Sequence, residues 1–558
     1  MIEERKIRAR IEERQKASHI NEDGGISYDI DDPILKLRIA ASSCFFGEPQ
    51  FYHSDPNDPR PLRKSLGRSI ESIRQDQKDY VSNTLLSIVP QDWNGETPAV
   101  IMEKAIDAAL DHDPEATLKE AVRLRSELFM RTTPIVILVR AANHPKLKGT
   151  GLVRKYAKEI IARADEIPNS LAYHLTTYAT SRTNGKRPIP MSLLRSYDDA
   201  FNRFSATQLA KYRMEDREVT LVDAANLTYG LKKAWARHSE ELANPKIPEG
   251  VKKLISNDLK VTGKTWEAIR SEEGASKESW EKSVPKMGHM SLLRNIRGML
   301  QDKVEPDLFL PKLIETAADG KQMPFRYLTA FSEVQKIGAP SKVLDAIEEC
   351  LELSIGNLPK FEGRTVSLSD NSGSALTAFT SSMGSMPIAQ IGNLMGVLTG
   401  KASDDGLVGV FGDRLEMFNI RKKSSLFDQV EKMNRMGQRV GEGTEHGIWL
   451  FFDGAISKKE HYDTIFVYSD MQAGHGGLYG TDPDIYEGFR WMGGNCIDVP
   501  LLIDTYRDNV NPDVDIFLVQ IAGGVDTVVP EWYHRTYILG GWSPEILRFA
   551  DEMKRIVR

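Results

Sequence analysis

Apolar residues recur at three-to-four spacing through most of the first 358 positions, which predicts helices of roughly 10–15 residues joined by short breaks. PAVIMEKAIDAAL (from Pro98) and PEATLKEAVRLRSELF (from Pro114) each open on a proline, whose fixed φ suits a first helical turn. TPIVILVRAAN, TGLVRKYAKEIIARADE, PNSLAYHLTTYATS, MSLLRSYDDAFNRF and MSLLRNIRGMLQD continue the pattern, and no strand is expected from about residue 65 to 358. SDPNDPRP (Ser54 to Pro61) reads as a loop. The helical periods are irregular, so stacked helix pairs of the HEAT kind are expected rather than a strict repeat. At LPKFEGR (Leu358 to Arg364) the texture changes. RTVSLS, LVGVFG, LEMFNI, DTIFVYS and VDIFLVQ then alternate with amphipathic segments, which predicts a doubly wound, Rossmann-like parallel sheet with ligands at the carboxyl ends of its strands. The expected division is a charged N-terminal segment (1–30), a helical-repeat domain (31–358) and an α/β domain (359–558).

Composition changes this picture in two places. With 41% hydrophobic and 27% charged residues the chain can bury a core, and no apolar run is long enough to span a bilayer. MIEERKIRARIEERQKASHI has no apolar stretch behind its charges, so no secretory signal is expected there. Three scattered cysteines (Cys44, Cys350, Cys496) point to a reducing, cytoplasmic setting and to neither a disulfide scaffold nor a zinc module. The net charge of −6 is unevenly spread. Residues 361–558 hold 18 bases against 27 acids, which leaves 55 bases against 52 acids before them. An anionic partner therefore suits the helical part.

The sharpest chemical signal is Asp370-Asn371-Ser372-Gly373-Ser374, directly after RTVSLS. One carboxylate and two hydroxyls at alternate positions of a tight loop can converge on a hard divalent cation such as Mg²⁺. GEGTEHG adds Thr444, and Asp470 follows the strand DTIFVYS. The order D-x-S-x-S, Thr, Asp resembles the metal-ion-dependent adhesion site of von Willebrand factor type A domains. The competing reading is local: Ser372 and Ser374 cap the next helix and Asp370 closes a turn.

A helical-repeat part followed by such a domain resembles the Ro ribonucleoprotein family in its bacterial form, whose helical part is the TROVE module. The resemblance runs from about residue 40 to 558. It is carried by LRSELFMRTTPIVILVRAANHP (from Leu124), DAFNRFSATQLAKYRM (from Asp199), REVTLVDAANL (from Arg217), MSLLRNIRGM (from Met290) and LGGWSPEILRF (from Leu539). It implies a monomeric ring of helical repeats closed by the type A domain. It further implies Y-like small RNA on the outer surface, single-stranded 3′ ends of misfolded RNA in the central hole, and a role in RNA quality control or as a ribonucleoprotein scaffold. An exoribonuclease is a candidate partner, a membrane is not, and no catalysis is implied.

Eleven bases lie between Lys119 and Arg163, opposed in that stretch only by Glu120, Glu127 and Glu159. Lysine and arginine supply sequence-independent affinity for phosphates. Arg123, Arg125, Arg131, Arg140, Arg154, Lys155, Arg294 and Arg297 are the candidate RNA contacts. Lys211 and Arg213 resemble basic positions on the family's outer rim. One departure is Asn226, where animal members carry a histidine. Gly263-Lys264-Thr265 lacks the first glycine of a phosphate loop, and no G-x-S-x-G or H-E-x-x-H occurs. The alternative function is a metal-dependent protein-interaction scaffold without RNA-end preference.

Overall fold

The computed structural model describes residues 19–20, 26–27, 32–42, 98–127, 130–178, 189–212, 219–231, 244–259, 265–274, 276–320, 322, 324–356, 358–377, 387–441, 445–469, 478–479, 487–489, 496–497, 499–521, 531–533, 535–540 and 545–557. They fall into two compact units, one within Asp31–Gly263 and one from Lys264 onward, to which residues 19–20 and 26–27 also belong.

The first unit is helical: α1 (Pro33–Ser42), α2 (Pro98–His112), α3 (Pro114–Ser126), α4 (Thr132–Asn143), α5 (Leu152–Ile160), α6 (Glu166–Tyr178), α7 (Met191–Arg203), α8 (Ala206–Lys211), α9 (Leu221–Tyr229) and α10 (Glu249–Ser256). Local chemistry sets several starts. Asp113 accepts from the amides of Glu115 and Ala116 ahead of α3, with Pro114 at the first helical position. Ser205 with Gln208, and Thr220 with Asp223, form capping boxes on α8 and α9. In α5, Val153, Tyr156, Ala157 and Ile160 are buried while Arg154, Lys155 and Lys158 face solvent. One continuous apolar core runs from Leu37 to Ile255.

The second unit begins with α11 (Trp266–Glu273), α12 (Lys277–Ser283), α13 (His289–Gln301), α14 (Pro306–Glu315), α15 (Pro324–Lys336) and α16 (Ser341–Ile355). Then come β1 (Phe361–Asp370), α17 (Ile388–Ala402), β2 (Ser403–Phe411), β3 (Leu415–Asn419), α18 (Leu426–Gly437), α19 (Glu445–Lys458), β4 (Thr464–Ser469), α20 (Val499–Asn509), β5 (Asp515–Gln520), β6 (Glu531–Tyr533), β7 (Thr536–Gly540) and α21 (Glu545–Val557). The seven strands order as β6-β7-β5-β4-β1-β2-β3. The inner five are parallel, and the edge strands β3 and β6 are antiparallel to their neighbours. Val366 and Leu368 pack with Ile448, Phe452, Leu502 and Tyr506 on one face of the sheet. On the other face α17 lies close. A Cβ at Gly392 would stand 2.6 Å from Ser369 Oγ, so only glycine allows this approach.

The packing boundary falls at Gly263, well before the expected break at residue 358. The last helical pair docks on the α/β elements: Phe331 of α15 meets Phe427 of α18 at 4.3 Å between ring centroids, and Lys401 of α17 pairs with Glu352 of α16 at 2.6 Å. Periodicity identified these helices but not the neighbour on which they rest.

His289 ties α13 to α14 and α15. Its Nδ1 lies 3.0 Å from the Leu313 carbonyl, and its Nε2 lies 2.8 Å from the Tyr327 hydroxyl, so the neutral ring donates at Nδ1 and accepts at Nε2. Burial lowers the pKa of this ring. The unfolded chain therefore takes up the proton first, and the stabilisation present above the ordinary histidine range is lost as pH falls through about 6.5 and below. Wild type should lose more thermal stability between pH 7 and pH 5 than His289→Gln. Equal losses would remove His289 from the acid response.

Candidate functional site

The carboxyl ends of β1 and β4 form the topological switch point of the sheet. From β1 the chain passes through α17 to β2 on one side, then returns through α19 to β4 on the other. Such a divergence leaves a crevice at the strand ends. Asp370 closes β1 there and is 2% exposed. Its Oδ1 accepts from the Ser372 amide at 2.9 Å, and its Oδ2 accepts from the Ser469 hydroxyl, at the end of β4, at 2.6 Å. Ser372 is fully buried beside it. The carboxylate is thus oriented from both sides before any ligand arrives.

The side chains of Ser374, Thr444 and Asp470 lie outside the described residues, so the structure places two of the five expected oxygen ligands. The chemistry of those two fits a hard cation, with a carboxylate and a hydroxyl on one loop and no soft donor among them. Among the described residues no group of three or more His, Cys, Asp or Glu side chains is assembled for a metal. A site built largely of hydroxyls would not form such a group. Ser469 was not anticipated from the sequence, although it directly precedes Asp470.

The candidate bases behave differently from one another. Arg140 is only 8% exposed and sits inside the helical unit. It pairs with Asp107 of α2, approaches Glu103 at 3.4 Å and donates to the Tyr173 hydroxyl at 2.7 Å. Burial works most strongly against its charge, but the hydrogen bond to Asp107 and the nearby Tyr173, Tyr178 and Glu103 together outweigh it and raise the pKa. This position is structural, which corrects the expectation of an RNA contact: a buried guanidinium held by carboxylates has no face left for a phosphate. Arg123 pairs with Glu120, and Arg125 with Glu166, each at 2.8 Å or less. Arg131 pairs with Asp165 at 2.8 Å while staying exposed.

On α5, Arg154 holds Asp199 at 2.7 Å and keeps that carboxylate below its ordinary pKa, and Lys155 reaches Glu115 at 3.3 Å. Both remain at the surface. Lys211 is exposed, 5.7 Å above the Tyr212 ring, and Arg163 lies 4.9 Å from the same ring. In the second unit Arg294 is exposed, and Arg297 is exposed but paired with Glu333 at 2.8 Å. Arg213 lies outside the described residues. Lys119, Lys148 and Lys158 are exposed as well. Asn226 is 5% exposed, with neither amide atom hydrogen-bonded.

No family model matches the sequence, and no curated protein matches it. Among solved structures, the crystal structure of the Deinococcus radiodurans Ro (RSR) protein matches with a TM-score of 0.55 and 15% identity, over 81% of this chain and 93% of that one. The chain has the fold of a bacterial Ro protein. The likeness spans both textures, the helices and the sheet, and at this identity it is a likeness of fold. The candidate bases from Arg123 to Lys211 belong to one compact unit, and Arg294, Arg297 and the Asp370 loop belong to the other. No described helix is long and apolar enough to cross a membrane.

Proposed function

We propose that this chain is a Ro-type RNA-binding protein without catalytic activity. In this reading it takes Y-like small RNA and misfolded RNA with a single-stranded 3′ tail, and acts in cytoplasmic RNA quality control or as a ribonucleoprotein scaffold. The observation that carries the reading is the Ro fold over 81% of the chain. The exposed cations of the helical unit support it, because phosphate contacts need accessible lysines and arginines. Burial and ion pairing leave Lys119, Lys148, Lys158 and Lys211 as the bases best placed to serve, with Arg154 and Lys155 beside them.

In the same reading the loop of Asp370, Ser372 and Ser374, with Thr444 and Asp470, holds Mg²⁺. When bound, the ion would offer a coordination position to a partner's carboxylate. Asp370 is kept in place by Ser469 and the Ser372 amide, and both Asp370 and Ser372 are buried. An exoribonuclease is a candidate protein partner.

Binding of the full chain to a stem with a single-stranded 3′ tail, compared with a blunt duplex, tests the RNA reading. The tailed RNA should bind more tightly, and affinity should fall steeply with salt. Reversing Lys119, Lys148, Lys158 and Lys211 together to Glu should weaken binding at least about tenfold and flatten the salt slope, since fewer neutralised phosphates mean fewer counterions released on binding. Equal binding of tailed and blunt RNA would favour the protein-scaffold alternative.

A further inference from the structure

Behind the Asp370–Ser372 loop lies a set of buried amides that neither RNA binding nor cation ligation uses. Asn371, between the two oxygen donors, is 1% exposed, and so is Asn393 of α17. Their amides pair reciprocally: Asn371 Nδ2 donates to Asn393 Oδ1 at 2.9 Å, and Asn393 Nδ2 donates to Asn371 Oδ1 at 3.0 Å. Asn393 Nδ2 also donates to Asn434 Oδ1 of α18 at 2.8 Å. The Asn371 backbone amide donates to the Phe411 carbonyl of β2 at 2.8 Å, and its side chain also donates to the Ser369 carbonyl at 3.1 Å. α18 closes the cage at Gly437, where any Cβ would collide with Asn371 Oδ1.

A buried amide left without partners is costly, so this geometry is strongly determined. Clamping Asn371 by side chain and backbone sets the direction in which its neighbours Asp370 and Ser372 point. The far end of α18 is gripped in turn by the last helical pair. The Leu426 amide donates to Glu348 of α16 at 2.6 Å, and Phe427 packs tilted against Phe331 of α15. A helix is stiff over this length, so a shift of the loop is carried along α18 rather than absorbed.

We infer that Asn393 and Asn434 are positioning residues for the Asp370–Ser372 loop, and that cation occupancy of this loop is thereby coupled to α18 and the α15–α16 pair. The inference rests on the cation reading above. Outer-shell partners that orient metal ligands typically affect affinity by about 10–100-fold, and Asn393→Leu, similar in size but unable to pair, should weaken Mg²⁺ binding of the full chain in that range. Gly437→Ala should do the same from a remote helix, although alanine is the better helix former. Mg²⁺ should slow amide hydrogen exchange in residues 426–437 of wild type, and should fail to do so in Asn393→Leu at saturating Mg²⁺.

Calorimetric titration with Mg²⁺ alone, with thermal unfolding in EDTA as the control for folding, separates positioning from general destabilisation. If Asn393→Leu does not fold, Gly437→Ala carries the test. Variants that bind Mg²⁺ within about twofold of wild type, while wild type binds, would overturn the positioning role and leave the cation reading standing. Exchange in α18 indifferent to Mg²⁺ in wild type would overturn the coupling. Wild type that binds no Mg²⁺ would sink the cation reading and this inference together.

Discussion

Replacing Arg140 by methionine should cost the helical unit about 3–5 kcal/mol, the range for removing one partner from a buried ion pair. Arg140 joins three helices. Its Nε donates to Asp107 of α2 at 2.7 Å, and its Nη1 donates to the hydroxyl of Tyr173 on α6. That hydroxyl donates onward to Glu103 at 2.6 Å. Without the guanidinium, Glu103, 7% exposed, and Asp107 would both lose the cation they share. By contrast, Lys148→Met at an exposed position should stay within about 0.5 kcal/mol of wild type. Hydrogen exchange of α2, α4 and α6 in the full chain reads the difference at the unit concerned. A loss under about 1 kcal/mol for Arg140→Met would show that the network is dispensable, and would make Arg140 a candidate for RNA binding again.

Asp370→Ala should abolish Mg²⁺ binding while leaving affinity for 3′-tailed RNA within about threefold, or ~0.65 kcal/mol. The variant removes the one carboxylate that the described part of the loop contributes, and Ser469 and the Ser372 amide then orient nothing. RNA should be almost indifferent, because residues 361–558 carry 18 bases against 27 acids and repel phosphates on balance. Parallel Mg²⁺ calorimetry and RNA binding on wild type and variant decide this. A large loss of RNA affinity in a still-folded Asp370→Ala would place cation and RNA at one site and end the division between the two units.

How much of the site could be read in advance depended on the range of the contacts involved. The Asp370-x-Ser372 array was visible because its donors are close neighbours in the chain and follow a strand pattern. The asparagine cage was not. Asn371 and Asn393 lie on different elements, 22 positions apart, and nothing marks an asparagine within IAQIGNLMGVLTG as buried. The basic stretch from Lys119 to Arg163 looked almost unopposed for a similar reason. Apart from Glu120 beside Arg123, its neutralising acids come from elsewhere: Asp107 and Glu103 from α2, Glu115 from the start of α3, Asp165 and Glu166 around the start of α6, and Asp199 from α7.

The sequence by itself determined the type of each element. Helical periodicity, prolines at first turns, capping boxes and alternating β-branched runs act within a few residues, and their physics is local. It also determined the contrast between a charge-balanced helical stretch and an acidic α/β stretch, because charge is a sum over residues. Only the tertiary structure decided which bases remain available to a phosphate, since an arginine is spent or free according to the carboxylates that distant helices bring to it. Only the tertiary structure joined α11–α16 to the sheet rather than to the earlier helices, because an apolar helix face specifies burial without naming its partner. The same holds for Asp370: its loop is written in the sequence, but the hydroxyl and amides that aim it come from strands and helices that only folding brings together.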